Sequence, residues 1–339
     1  MMTLKERIDV LARLGSHLLQ EDDYLEAVMK RTEYNNGWFT VAQQQASISA
    51  IARQFLDRAA LEAWASPYEL EPATPQTVGI VMAGNIPLVG FHDWLSVFVA
   101  GHRAVVKLSE KDQFLFPYLM KVLQQLDSRT AGYVKLANRL EGFDAVIATG
   151  SNNAARYFEA YFGKYPHIIR RNRNAAAVLS GSETPEELNA LGQDVFQYYG
   201  LGCRNVSKVY VPKGYDFGPL LQALHNYREV VLNTKYKNNF DYNYALHLLN
   251  NEPFRANGCI MLLENPQLHS RIACLHYEYF ETIDEVEKDL QARKGELQCV
   301  VARPGLLQRP AFAFGKAQQP SLTDYPDDVN LLEFLAQLS

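Results

Sequence analysis

The chain has 339 residues and a formal net charge of -5, with 47% hydrophobic and 21% charged residues. This composition is ordinary for a soluble globular protein, and the length allows two lobes that each have a core. The acidic balance argues against a dedicated nucleic-acid binder, because such proteins are usually basic overall.

In chain order, residues 3–66 predict helices, because apolar residues recur at helical spacing there. Residues 66–76 are rich in proline and acid and predict a link into the first strand. From residue 77 onward, short apolar runs alternate with helical patterns. The predicted strands are 77–83, 103–108, 143–148, 167–170, 175–180, 207–212 and 298–302. The predicted helices are 88–100, 114–126, 153–162, 185–199 and one from residue 331.

Strands that alternate with helices indicate parallel sheets covered by helices on both faces. We therefore predict an α/β fold with parallel sheets and a helical N-terminal region. Residues 78–101 are apolar enough to be considered as a membrane span. However, Pro87 interrupts this segment and His92 and Asp93 follow, so a buried strand, a turn and a buried helix explain it better.

The four cysteines are scattered and form no CxxC pair, which favours a reducing compartment. The start of the sequence mixes both charge signs and lacks the continuous apolar core of a signal peptide. These features predict a cytoplasmic protein without an integral membrane segment. The eight histidines show no metal-ligand spacing, so we expect no metal.

Four short segments carry the residues best suited to chemistry: AGNIP at 83–87, VVKLSE at 105–110, ATGS at 148–151 and GLGC at 200–203. The first three end or follow predicted strands, and ligands of open α/β sheets bind at the carboxyl ends of strands. Each segment alone has an ordinary explanation, as a capped helix start, a solvated lysine or a turn. Neither a Walker A motif nor GxGxxG is present.

Together and in this order, these segments resemble the aldehyde dehydrogenase superfamily. Within it, GNIPLVGF, VVKLSEKD, ATGSNNAARYF, RRNRNAAAVLSG and GLGCRNVSKVYVP are similar to the acyl-CoA reductase family, which includes the fatty-acid reductase of bacterial bioluminescence. The resemblance implies an aldehyde dehydrogenase-like fold with a Rossmann-type cofactor lobe. Residues 1–174 would hold the N-terminal helices and this lobe, residues 175–312 the catalytic lobe, and residues 313–339 a tail and helix that pack back on the body.

The resemblance also implies roles for single residues. Cys203 would be the nucleophile, and Asn85 would donate its side-chain amide to the oxyanion together with the backbone N–H of Cys203. The residues implied at the cofactor are Lys107, Ser109 and Glu110 on the adenosine ribose, and Thr149, Gly150 and Ser151 on the diphosphate. The other three cysteines lie in apolar runs and are predicted to be core residues: Cys259, Cys274 and Cys299.

Two departures from the superfamily pattern bear on the reaction. Members that oxidise aldehydes to acids carry a water-activating glutamate that would fall near Ile169, but no carboxylate occurs from Lys164 to Leu179. A site without this base would exchange an acyl group with a thiol more readily than hydrolyse it. The downstream Glu-x-Phe-Gly-Pro segment, which holds the nicotinamide ribose, is also missing. Residues 268–270 (LHS) are candidates for its place, and we leave that contact unassigned.

We therefore predict reduction of an acyl-CoA, by resemblance a fatty one, to an aldehyde with NADPH or NADH through an acyl-cysteine. The resemblance favours NADPH, whereas the Glu110 carboxylate favours the free 2′-hydroxyl of NADH, so the choice stays open. One alternative is reduction of another activated acyl group such as an acyl phosphate. The other is a non-catalytic ligand-binding or assembly protein. Among partners we expect acyl-CoA and no nucleic acid, and a homo-oligomer stays open.

The basic segment Arg170-Arg171-Asn172-Arg173 also has two interpretations. In an acidic chain with strands on both sides, a phosphate contact is favoured over a nucleic-acid patch. A structural or solvated role is favoured over both.

Overall fold

The computed structural model describes residues 1–338. The chain divides into two compact units, each described here by itself. The first contains Met1–Asn172 and the residues from Pro320 onward, and the second contains Arg173–Gln319. The segment 313–339, treated above as one tail, is thus divided between the two units.

The first unit begins with four α-helices whose N-termini are capped by Thr or Asp side chains. They are α1 (Leu4–Leu18), α2 (Asp23–Asn35), α3 (Val41–Ala50) and α4 (Arg58–Ala65), with a π-helical turn at Ile51–Phe55. Each cap satisfies a backbone N–H that the first helical turn leaves without a partner. The predicted helical N-terminal region is confirmed.

Arg7 on α1 connects this helical region to the rest of the first unit by hydrogen bonds. Its side chain is 2% exposed and donates to three main-chain carbonyls. Nη1 reaches Met2 O at 2.5 Å, and Nη2 reaches Leu70 O at 2.5 Å and Val99 O at 3.1 Å. A buried guanidinium is tolerated only when its donors are satisfied, and here one side chain satisfies carbonyls from three segments.

The sheet of the first unit is parallel throughout, with the strand order β3-β2-β1-β4-β5. This is the order of a Rossmann-type sheet. Its strands are β1 (Thr77–Val81), β2 (Arg103–Lys107), β3 (Val134–Leu136), β4 (Ala145–Thr149) and β5 (His167–Arg170). The helices that follow β1, β2 and β4 are α5 (Phe91–Val99), α6 (Leu115–Leu126) and α7 (Asn152–Phe162).

The second unit contains a six-stranded sheet in the order β11-β6-β7-β10-β9-β8, in which only the β8–β9 pair is antiparallel. Its strands are β6 (Asn174–Val178), β7 (Val206–Pro212), β8 (Arg255–Ala256), β9 (Met261–Glu264), β10 (Cys274–Phe280) and β11 (Leu297–Ala302). Its helices are α8 (Pro185–Phe196), α9 (Phe217–His225), α10 (Thr234–Leu249) and α11 (Ile283–Ala292). The predicted α/β class with parallel sheets is confirmed.

The segment 78–101 folds as the predicted strand, turn and helix, and every residue of α5 is buried. In the described part of the chain, no helix is long and apolar enough to cross a membrane. The predicted helix start at residue 88 was wrong, because Leu88 has φ 58° and α5 begins at Phe91. A left-handed residue cannot continue an α-helix.

The first unit is completed by residues that come after the second unit in the chain. Helix α12 (Leu331–Ala336) places Leu331, Leu332 and Leu335 fully buried in the core of the first unit. Trp64 Nε1 donates to the hydroxyl of Tyr325 at 2.7 Å. This returning segment is therefore part of the first hydrophobic core.

Replacing Arg7 with methionine is expected to destabilise the first unit by about 3 kcal/mol, because buried carbonyls lose their donor. All three tryptophans of the chain, at positions 38, 64 and 94, lie in this unit, so tryptophan fluorescence in urea reports its unfolding. Arg13→Met is the control, since exposed Arg13 makes a single bond to Leu126 O. Equal stability of the two variants would contradict this account.

Candidate functional site

The strand ends predicted to carry the cofactor residues lie side by side at one edge of the first sheet. Val81 at the end of β1 is in register with Lys107 of β2, and its neighbour Ile80 is in register with Ile147 of β4. Thr149 at the end of β4 is in register with Arg170 of β5. The structure therefore brings together the ends that lead into Asn85, Ser109 and Glu110, and Gly150 and Ser151. Cys203 lies in the second unit.

The loops after β1 and β2 touch each other at a glycine. A Cβ at Gly84 would lie 2.3 Å from Ser109 Oγ and 2.5 Å from Ser109 Cβ. Ser109 Oγ also accepts the backbone N–H of Lys111 at 3.2 Å, which fixes its orientation. Because only glycine permits this approach, the sequence Gly84-Asn85 sets the distance between the two loops. Lys107 and Glu110 are exposed beside them.

The turn that carries half-buried Asn85 is held from two sides. Ser47 Oγ donates to Pro87 O at 2.8 Å, and Leu88 N donates to Asp112 Oδ2 at 2.7 Å. Burial raises the pKa of Asp112 to about 6, partly offset by the Leu88 bond. Asp112 was not singled out in the sequence, because nothing local distinguishes it from the exposed charged residues that precede it.

The Thr149-Gly150-Ser151 turn opens α7. Ser151 Oγ accepts the N–H of Ala154 at 3.2 Å, so this serine is an ordinary N-cap. Thr149 Oγ1 is buried and has no hydrogen-bond partner among residues 1–338. A Cβ at Gly150 would meet the ring of Phe158 at 2.8 Å, so glycine allows this ring to pack against the start of the helix. An orphaned hydroxyl beside a helix N-terminus fits a phosphate group.

The arginines of the basic segment are all engaged within their own units. Arg170, 4% exposed, forms a buried ion pair with Asp93 of α5. Arg171 Nη2 bonds Glu159 Oε1 at 2.5 Å, and Arg173 Nη1 donates to Leu297 O at 3.1 Å. The structural interpretation of this segment is therefore the one the contacts support.

Cys203 lies in the turn between α8 and β7. The predicted helix over 185–199 ends earlier, at Phe196, because Gln197 leaves the helical conformation with ψ 140°. Three left-handed residues follow in succession: Tyr198 (φ 53°), Tyr199 (φ 58°) and Gly200 (φ 76°). A non-glycine residue in this region costs about 1–2 kcal/mol. The strain is met by packing, since Tyr198 is buried and the Tyr199 ring lies 6.1 Å from that of Tyr236. The chain thereby reverses directly before the cysteine.

The four cysteines differ in their surroundings, and none of them forms a disulfide. Cys259, Cys274 and Cys299 are buried, as predicted for core residues, while Cys203 is only partly buried. Burial raises the pKa of Cys259 to about 11 and that of Cys274 to about 12, which keeps these thiols protonated at neutral pH. Because the thiolate is the nucleophile, Cys203 is the cysteine best placed to react.

Arg204, the neighbour of Cys203, contacts the segment that follows β11. Its guanidinium carbon lies 5.2 Å from the ring centre of Phe312, and Nη1 donates to Ala317 O at 3.5 Å. Asp194 of α8 holds the same segment by accepting Gly315 N at 2.6 Å and Ala317 N at 3.0 Å. Burial raises the pKa of Asp194 to about 6, although both N–H bonds oppose the shift.

Sequence reasoning missed Asp194, but it left one signal. An acid stands on the face of α8 that also carries Leu191 and Val195, so the apolar stripe of the helix contains a charge. Asp194 is fully buried, and its carboxylate accepts the two N–H groups of the 315–317 segment.

The loop considered for the nicotinamide-ribose contact lies between β9 and β10. Ser207 Oγ donates to Leu268 O at 2.7 Å, and Ser270 Oγ donates to Cys274 O at 2.7 Å. The ring of exposed His269 lies beside the Asn174 side chain, with Nδ1 3.2 Å from Oδ1. The loop is thus fixed to the start of the strand that follows Cys203, and the ribose contact remains unassigned.

Solved structures match most of the chain at low sequence identity. An oxidoreductase from Marinobacter aquaeolei is 12% identical with a TM-score of 0.72, covering 94% of this chain and 79% of that one. An NAD-dependent aldehyde dehydrogenase from Sinorhizobium meliloti is 13% identical with a TM-score of 0.65, covering 89% and 70%. A mutant of aldehyde dehydrogenase C from Pseudomonas syringae, complexed with NAD+ and octanal, is 11% identical with a TM-score of 0.64, covering 89% and 73%.

The chain has the aldehyde dehydrogenase fold. No protein-family model matches the sequence. No curated protein matches it either. At 11–13% identity, the likeness establishes the fold, while substrate and cofactor are questions for the residues of the site.

Replacing Gly84 with alanine is expected to destabilise the first unit by about 1–3 kcal/mol, because the new Cβ overlaps Ser109. The double variant Gly84→Ala, Ser109→Gly removes the overlapping side chain and should regain most of the loss in urea unfolding followed by tryptophan fluorescence. Gly132→Ala is the control, since a Cβ there meets nothing within 4 Å. No recovery in the double variant would refute the contact.

Asp112→Asn is expected to reduce the pH dependence of stability. The folded-state pKa is raised, so the folded chain keeps a proton that the unfolded chain releases between the unfolded value of 3.8 and about 6. Wild-type stability therefore falls as pH rises through this window, by about 3 kcal/mol from this group, and levels off above it. Urea unfolding at pH 4.5 to 7.5 measures the slope, and parallel slopes in the two proteins would disprove the assignment.

Proposed function

We propose that this protein reduces a fatty acyl-CoA thioester to an aldehyde with NADPH or NADH through a covalent acyl-cysteine at Cys203. The observation that carries the proposal is a partly buried thiol at a tightly reversed turn of an aldehyde dehydrogenase fold. It is supported by the absence of a carboxylate from residue 164 to residue 179.

The first half-reaction would be acyl transfer. Cys203 Sγ attacks the thioester carbonyl, the bond from that carbon to the coenzyme A sulfur breaks, and coenzyme A leaves as a thiolate. The proton of the Cys203 thiol passes to solvent or to this thiolate. Because the leaving thiolate is a weak base, departure needs little general-acid help, which suits a chain with no evident catalytic histidine.

Negative charge develops on the carbonyl oxygen during this attack. Asn85 is the proposed side-chain donor, and the Cys203 backbone N–H the proposed second donor. An oxyanion-hole amide of this kind is worth about 3 kcal/mol of barrier. The two bonds that hold the Asn85 turn, from Ser47 and to Asp112, would keep the amide in place before substrate arrives.

The second half-reaction would be reduction of the acyl-cysteine. Bound NADPH or NADH would supply a hydride to the acyl carbon. The carbon–sulfur bond of the resulting thiohemiacetal anion would then break as the carbonyl double bond re-forms. This releases the aldehyde and the Cys203 thiolate, which takes a proton from solvent to regenerate the thiol. The proposed cofactor residues are Lys107, Ser109 and Glu110 at the ribose, and Thr149, Gly150 and Ser151 at the diphosphate.

One observation in the first unit fits a dinucleotide. Thr149 Oγ1 is an orphaned buried hydroxyl at a helix N-terminus, where a phosphate group is favoured. An exposed carboxylate at Glu110 favours a ribose 2′-hydroxyl, whereas the resemblance favours NADPH, so both cofactors belong in the test.

The segment around β5 argues against oxidation of an aldehyde to an acid. Ile169 is an aliphatic residue of β5, and the adjacent Arg170 is committed to Asp93. Neither a hydrocarbon side chain nor an ion-paired guanidinium serves as a general base, so an acyl-cysteine here lacks an evident hydrolytic base.

Mixing wild type with a medium-chain acyl-CoA and no cofactor is expected to add one acyl mass to the protein. Cys203→Ala should show no adduct, whereas the control Cys299→Ala, in the core strand β11, should retain it. NADPH and NADH, added separately, should discharge the adduct as aldehyde and rank the cofactors. Intact-protein mass spectrometry and aldehyde trapping measure both steps.

Asn85→Ala should slow adduct formation by about 100-fold while the protein stays folded. Absence of an adduct with any acyl-CoA would overturn the thioester proposal. Turnover with an acyl phosphate would then identify the acyl-phosphate alternative. Cofactor binding without acylation of Cys203 by either donor would identify a non-catalytic member of the fold.

A further inference from the structure

We propose that Asn205, two residues after the cysteine, is the positioning residue of the Cys203 thiol. The inference rests on the proposed function in taking Cys203 as the nucleophile. Asn205 would act through the main chain of the turn and would not touch substrate. It is 3% exposed, and all the contacts that argue for this role lie within the second unit.

The Asn205 side chain joins the end of α8 to the cysteine turn. Nδ2 donates to Gln197 O at 2.8 Å and to Asp194 O at 3.0 Å, with a longer contact to Val195 O at 3.4 Å. Oδ1 accepts the backbone N–H of Gly202 at 2.8 Å. A single buried amide thus uses both its donor and its acceptor side.

These contacts replace the usual end of a helix. The last carbonyls of an α-helix have no partner within it, and a left-handed glycine one residue beyond the helix commonly allows backbone N–H groups to satisfy them. Here three left-handed residues lead the chain away from α8, and a side chain from further along returns to its terminal carbonyls. The helix end and the turn are therefore fixed to each other by Asn205.

Cys203 lies inside the ring that these bonds close. The Asn205 backbone N–H donates to Gly202 O at 3.1 Å, and the Gly202 N–H donates to the Asn205 side chain. The residues on both sides of the Cys203–Arg204 pair are thereby paired with each other. These bonds limit the movement of the main chain that carries Cys203.

Such a fixed turn matters for a nucleophile because attack requires alignment. A displacement of about 1 Å between reacting atoms can cost about 100-fold in rate. An aspartate at position 205 would keep the acceptor for the Gly202 N–H but would place an oxygen against two carbonyl oxygens. An alanine would leave those carbonyls and the Gly202 N–H without a partner.

Asn205→Ala and Asn205→Asp are expected to slow acylation of Cys203 by medium-chain acyl-CoA by about 100-fold. Alkylation by iodoacetamide should instead become faster, because a loosened turn exposes the partly buried thiol and this small reagent needs no alignment. Opposite changes in the two rates would distinguish positioning from a general loss of structure. Intact-protein mass spectrometry measures both rates on one sample.

Asn243→Ala is the matched control. Asn243 is another buried asparagine of the second unit, 2% exposed, and its Nδ2 donates to Ile272 O at 3.0 Å. This variant is expected to lose comparable thermal stability while acylation and alkylation keep their wild-type rates. The same pattern of rates in the Asn243 and Asn205 variants would reduce Asn205 to a structural residue and overturn the proposal.

Further outcomes separate this inference from the proposed function. If wild type is never acylated, the proposed function fails, and the alkylation rates alone still test the turn. Unchanged alkylation and acylation in Asn205→Ala would overturn the positioning role. If the variants do not fold, hydrogen exchange in the wild type decides. The Gly202 amide should exchange slowly, and exchange at the rate of a solvent-exposed amide would contradict its bond to Asn205.

Discussion

The catalytic proposal for this chain depends on the hydrogen bonds of one buried asparagine. Asn205 satisfies the carbonyls at the end of α8 and the N–H of Gly202 at once. The left-handed residues before the cysteine need such a contact, because a strained reversal persists only where its surroundings hold it. Asp194 adds a second connection by fixing the segment that Arg204 contacts. The turn that carries Cys203 is thus defined by hydrogen bonds between residues distant in the sequence.

In the first unit, the main constraint is that several loops lie close together at one edge of the sheet. Parallel register places the ends of β1, β2, β4 and β5 in one row. Gly84 then lets the first two loops touch, and Gly150 lets Phe158 pack against the start of α7. Asp112 remains buried at the turn after β1 at an electrostatic cost, since burial raises its pKa. Two glycines and the buried Asp112 therefore determine how the loops pack at this edge of the sheet.

Much of the fold could be predicted because periodicity is a local property of the sequence. The parallel α/β class and the helical start follow from alternating apolar runs and caps such as Thr184. The same patterns predicted seven of the strands: β1, β2, β4, β5, β6, β7 and β11. Strand β3 has one half-buried and two exposed residues and offered no such pattern, and β8, β9 and β10 were not predicted either. The predicted ends of elements were wrong where contacts with residues distant in the sequence fix the backbone. An example is Leu88, whose N–H donates to Asp112.

For the candidate site too, some residues could be predicted from the sequence and others could not. Cys203 and the polar strand ends were found because glycine-rich and charged residues interrupt apolar patterns. The residues that hold the Cys203 turn and the segment beside it, Asn205 and Asp194, were not found, because their bonds join positions that are close only in the folded chain. Asparagine in a turn is common enough to carry no signal of its own. Asp194 left only the charge within the apolar stripe of α8 as a signal, and its hydrogen-bond partners became clear only from the structure.

The return of the chain to the first unit has a consequence for biosynthesis. Leu322, Leu331, Leu332 and Leu335 belong to a hydrophobic core whose other buried residues come from the first half of the sequence. During synthesis on the ribosome, that core remains incomplete until these leucines have emerged. The second unit is continuous in sequence and has no such delay. The intervening unit can therefore complete its packing before the unit that begins the chain, which reverses the usual order in which nascent proteins fold.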